Sequence, residues 1–77
     1  MELKKNKVSY TVDMRGVADD VAESDKYVIM TFTHRGKQLS QVRFMYDQWL
    51  TFMVRYGQNH SAYDCYKMVM SCAVKMN

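Results

Sequence analysis

The side chains with the most chemistry in them are His34, His60, Cys65 and Cys72, together with an acidic group of Asp19, Asp20, Glu23 and Asp25. The two imidazoles and two thiols are the donor types that zinc takes. His60, Cys65 and Cys72 follow one another at spacings of five and seven residues and His34 lies far off, which matches neither Cys-x₂₋₄-Cys nor His-x₃₋₅-His, so no metal site is expected. A Cys–His nucleophile pair needs its thiolate stabilised by a helix N-terminus or a neighbouring cation, and neither cysteine follows a turn. The acidic group lacks the spacing and the glycine of a calcium loop and reads as a solvated turn. With no phosphate loop and no acid–base pair beside a nucleophile, the chain is expected to be non-enzymatic and to need no cofactor.

These residues sit in 77 residues with 48% hydrophobic side chains, no proline and three glycines. That length predicts one domain over residues 1–77, and the apolar fraction predicts a folded core. A core this small is marginal alone, so reinforcement by a second copy or a partner is expected. Residues 1–7 carry charge with no apolar run behind them, and no stretch approaches the ~18 apolar residues of a bilayer span, so neither a signal peptide nor a membrane association is expected. Cys65 and Cys72 on one helix would have Cα atoms about 10 Å apart, too far to bridge. Free thiols fit a reducing cytoplasm, the host's if the chain is phage-encoded.

The elements follow from periodicity. Val8, Tyr10, Val12 and Met14 alternate with polar residues, the period of a half-buried strand. Residues 15–26 break that alternation and hold half of all the acids, which predicts an exposed connection with one helical turn around Val17 and Val21. Residues 27–33 are β-branched and aromatic, and His34-Arg35-Gly36 then supplies a turn into a second run from Lys37 to Phe44: a hairpin. A three-residue loop with Gly36 left-handed would set Val28 opposite Val42 and Met30 opposite Ser40, gathering Val28, Met30, Phe32, Val42 and Phe44 on one face. From Met45 the period becomes helical, with Met45, Trp49, Phe52, Met53 and Tyr56 on the inner stripe and Gly57 as a C′ stop. Ser61 N-caps a second helix to about Lys75, whose inner stripe is Ala62, Cys65, Tyr66, Val69, Cys72, Ala73 and Met76. The predicted fold is α+β, a three-stranded antiparallel sheet (βββαα) with two C-terminal helices packed on one face.

Two surfaces follow from that fold. The helices are too apolar to be fully used by it: Tyr46, Leu50 and Val54 on the first, and Tyr63, Met70 and Val74 on the second, widen the apolar arcs beyond the usual ~100°, with Tyr46, Leu50, Val54, Tyr63 and Met70 as the candidate contact residues. Such surplus marks a protein interface, so the leading expectation is a protein-binding module. It would act as a homodimer or on a target, in the manner of a small phage or mobile-element inhibitor or modulator of a host protein. Of the eight methionines, Met68 and Met70 fit an adaptable surface of that kind, while Met30, Met45 and Met53 are expected to fill the core. The second surface is the outer sheet face, expected to present Lys7, Ser9, Thr11, Asp13, Tyr27, Ile29, Thr31, Thr33, Leu39, Gln41 and Arg43, with Arg35 and Lys37 at the hairpin tip. Residues 15–26 hold four acids and two bases, so with +3 in total the rest of the chain carries +5. The alternative expectation is therefore a nucleic-acid binder using Lys7, Tyr27, Arg35, Lys37 and Arg43.

Overall fold

The structure is a computed structural model describing residues 3–76, with side chains as far as residue 71. Strand β1 (Val8–Asp13) pairs antiparallel with β2 (Tyr27–His34), which pairs antiparallel with β3 (Lys37–Met45), giving the order β1-β2-β3. Helix α1 (Tyr46–Phe52) continues into a π-helical turn at Met53–Gly57, and α2 (Ala62–Met76) closes the chain. The fold is α+β, as the hydrophobic periods require.

Alternation along β2 is complete: Val28, Met30, Phe32 and His34 are buried and their neighbours are half-exposed. The core cluster joins Met30 and Phe32 to Cys65 and Val69 of α2. Phe32 meets Tyr66 edge-on at 5.4 Å and Tyr10 at 5.8 Å, while Phe44 of β3 stacks on Phe52 of α1 at 5.6 Å. These offset and edge contacts are the arrangements that aromatic quadrupoles favour.

The hairpin reaches its inner face by a different route from the one the sequence predicts. Arg35 (φ 53°) and Gly36 (φ 83°) form a two-residue turn with both φ positive, the type I′ condition that matches the strand twist. Such a turn alone would send Gln41 and Arg43 inward. A β-bulge corrects it: Thr33 pairs with Gln38 and Phe32 with Ser40, leaving Leu39 as the extra residue. Beyond the bulge Val28 faces Phe44 and Met30 faces Val42, so the inner set survives in a register two residues from the expected one. Leu39 in consequence packs against the core cluster and leaves the outer face.

Three further local expectations are corrected. Met45 is exposed and N-caps α1, so it is not on that helix's inner stripe. Gly57 does not have a positive φ and so is not a left-handed stop. A Cβ there would lie 2.5 Å from Cε of Met53, so the missing side chain makes room for the Met53 thioether. The connection 15–26 contains two 3₁₀ turns, Arg15–Val17 and Glu23–Asp25, and buries Gly16 and Lys26. Ser61 does cap α2, its hydroxyl accepting from the Asp64 N–H at 3.2 Å. Cys65 is a buried free thiol whose pKa is raised by burial and by the nearby Asp64 carboxylate. The expectations on Cys72, Ala73, Val74 and Met76 fall on side chains outside the described residues.

Candidate functional site

Antiparallel pairing fixes which charges share an end of the sheet. Val8 pairs with His34, so the lysine-rich segment before β1 lies beside the hairpin turn. The Arg35 N–H donates to the Lys7 carbonyl at 3.2 Å, and the Lys4 N–H donates to Nε2 of buried His34 at 3.1 Å. That second bond makes Nε2 an acceptor and assigns the ring proton to Nδ1. Lys5 then reaches α2: its ammonium lies 5.6 Å from the centroid of the Tyr63 ring, and that of Lys67 lies 5.5 Å from the same centroid. Lys4, Lys5, Lys7, Arg35, Lys37 and Lys67 thus gather at one end, with Asp64 of the first α2 turn beside them.

The opposite end of the sheet is acidic. Asp13 ends β1, Asp19, Asp20, Glu23 and Asp25 lie in the connection to β2, and Asp47 opens α1 just after β3. Here Arg15 grips Asp13, with Nε 2.9 and 3.0 Å from the two carboxylate oxygens and Nη2 2.6 Å from Oδ2. The Arg15 side-chain hydrogen bonds, then its backbone N–H, hold the Asp13 carboxyl down at about 2. Arg43 stacks on the Tyr27 ring at 4.2 Å. An open pocket of about 300 Å³ is lined by Asp13, Arg15, Gly16, Tyr27 and Ile29.

Of the residues proposed for nucleic acid, Lys7, Arg35 and Lys37 are therefore together. Tyr27, which opens β2, and Arg43, near the end of β3, are at the far end of the sheet, Tyr27 lying seven residues from His34 or about 23 Å away at ~3.3 Å per residue. Between them the outer face is a hydroxyl and amide ladder, with Ser9 Oγ 2.8 Å from Thr33 Oγ1 and Gln41 Nε2 donating to Thr31 Oγ1 at 3.1 Å. Lys4, Lys5 and Lys67 escaped the sequence reading. The signal was the run Lys4-Lys5-Asn6-Lys7 directly before a strand, which any β1–β2 pairing must carry to the hairpin tip.

The five apolar candidates also divide. Leu50 is 41% exposed and Val54 71% exposed, four residues apart on one side of the α1 and π-turn segment. Tyr46, four residues before Leu50, is half-buried and stacks on Trp49 at 6.2 Å. Met70 packs against the core cluster, and Tyr63 lies under its two lysines. Among the described residues no three His, Cys, Asp or Glu side chains come close enough to hold a metal ion. No described helix is long and apolar enough to cross a membrane. A scan of protein-family models and searches of curated proteins and of solved structures find no match to this chain.

Proposed function

We propose that the protein is a non-enzymatic protein-binding module whose contact surface is the Tyr46–Leu50–Val54 stripe, and that the stripe's first occupant is a second copy of the chain. The exposure of Val54 and Leu50 at helical spacing carries this reading. Two branched aliphatic side chains held on one face lose water-exposed area on association, at ~25 cal/mol per Å². A helical stripe is also self-complementary when two copies meet antiparallel about a two-fold axis.

The small core supports the same reading. Among the described residues six hydrophobic side chains, Val8, Val28, Met30, Phe32, Cys65 and Val69, are buried. Domains of this size gain stability from association. The π-helical turn that carries Val54 is a rare form that recurs at functional positions, which supports the same surface.

Light scattering on a size-exclusion column tests it. The expected molar mass is twice 9.1 kDa at both low and high salt, since apolar contact is not screened. Val54→Asp is expected to give a folded monomer with unchanged circular dichroism. A wild-type monomer, or a Val54→Asp variant that still dimerises, defeats the proposal.

A further inference from the structure

Six of the eleven basic residues converge on one pole of the sheet, and six of the eight acids lie toward its other end. From this polarity we infer that the basic pole, formed by Lys4, Lys5, Lys7, Arg35, Lys37 and Lys67, is a binding site for the phosphodiester backbone of a nucleic acid. Among the described residues the Asp13–Arg15 ion pair lies at the other end, and none of these six cations is paired with a carboxylate. Six like charges gathered beside the single Asp64 carboxylate of the described residues repel one another, and a chain of phosphates relieves that repulsion while releasing its own condensed counterions.

The shape of the pole fits this ligand. Arg35 and Lys37 flank the β2–β3 turn, and Lys7 is tied to that turn through the Arg35 N–H, so the three cations span the ends of three adjacent strands. Strands lie ~4.8 Å apart, which spreads the charges over about 10 Å, a distance that covers successive phosphates along a strand. Their side chains make no described hydrogen bond and are available to a ligand. Sequence-independent contact is expected, because ammonium groups position a backbone without reading base edges.

An anionic lipid surface is the other polyanion of this chemistry, and the distribution of apolar residues disfavours it. Insertion needs exposed apolar side chains beside the cations. Among the described residues the exposed large hydrophobics are Met14 and Met45, at the acidic end of the sheet, Leu50 on α1 and Val54 in the π-helical turn.

Fluorescence anisotropy decides the matter, with a labelled oligothymidylate and a labelled mixed-sequence duplex as probes and phosphatidylserine–phosphatidylcholine vesicles as the competing surface. Binding to at least one oligonucleotide is expected at ~50 mM salt and should weaken on the order of a hundred-fold by ~200 mM for about five phosphate contacts. Lys7→Gln with Lys37→Gln alters only exposed side chains, so the fold should hold. The double variant is expected to flatten the log–log salt slope by about 2, while Arg43→Gln at the acidic end should leave it unchanged. The inference is overturned by absent or salt-insensitive oligonucleotide binding, by a double variant that binds like wild type, by equal weakening from Arg43→Gln, or by binding to vesicles alone.

Discussion

The ammonium of Lys26 donates to the Ala18 carbonyl oxygen at 2.8 Å, from a side chain only 7% exposed in the folded chain. A second contact reaches the Val17 carbonyl at 3.4 Å. The Lys26 carbonyl in turn accepts from the Tyr46 N–H at 3.0 Å. One residue therefore fastens the irregular connection to the start of α1. The Ala18 carbonyl also accepts from the Val21 N–H at 3.0 Å, so lysine adds a second, charged donor there and the donor to Val17, on a stem long enough to reach across eight residues.

Replacing that donor tests its weight. Lys26→Met keeps the length and apolar stem but removes the charged donor, leaving the Ala18 carbonyl with the Val21 N–H alone and the Val17 carbonyl without its lysine contact. A loss of about 1–3 kcal/mol in unfolding free energy is expected, read by urea denaturation at constant m-value. Wild-type stability in Lys26→Met would show that water satisfies the connection equally well.

Gly16 is needed for space. A Cβ on Gly16 would stand 2.6 Å from the Tyr27 carbonyl oxygen and 2.7 Å from its ring carbons. The ring can turn aside, but the carbonyl belongs to the first residue of β2 and cannot. Gly16→Ala should cost about 1–3 kcal/mol, and Tyr27→Ala should not rescue it because the backbone contact remains. Full rescue in the double variant would put the clash on the ring instead. Gly36→Ala is a useful contrast, since open space surrounds Gly36 and its cost, of about 1 kcal/mol, comes from φ alone.

What could be read in advance was whatever depends on local period. The β1 alternation, the hairpin, the Ser61 cap and the inner set Val28, Met30, Phe32, Val42 and Phe44 all follow from neighbouring residue types. The bulge at Leu39 did not, because a three-residue loop and a two-residue turn followed by a bulge give the same inner set. Turn geometry decides between them, through Arg35 accepting a positive φ that costs a non-glycine residue about 1–2 kcal/mol. The basic pole needed long-range information: Lys4, Lys5 and Lys67 meet only once β1 has paired with β2 and α2 has docked. Met70 likewise is peripheral on a helical wheel, and it is the docking of α2 on Phe32 and Met30 that packs it, partly buried, against the core cluster.

The bulge also leaves a defect that can be repaired. Ser40 sits opposite inward-facing Phe32, and its hydroxyl is buried without a hydrogen-bond partner. An unpaired buried hydroxyl costs folding free energy that its removal returns. Ser40→Ala is expected to raise unfolding free energy by about 1 kcal/mol, with a matching rise in Tm. A destabilised Ser40→Ala would mean the hydroxyl has a partner in solution.

The Asp13–Arg15 pair predicts an acid-range titration that lies apart from those of the other acids. Its carboxyl is held at about 2 against an ordinary 3.8, chiefly by the Arg15 side-chain hydrogen bonds and then by the Arg15 backbone N–H. A value lower in the folded state than in the unfolded one means the charged form is favoured by folding. That contribution is complete above about pH 4 and fades as pH falls toward 2. Because the pair is solvent-exposed, the effect on stability is small, and the titration itself is the sharper readout. Carbonyl-detected NMR should place the Asp13 midpoint near 2, and Arg15→Gln should return it toward 3.8. A wild-type midpoint already near 3.8 would mean that the pair is open in solution and that the pocket beside Tyr27 has a mobile wall.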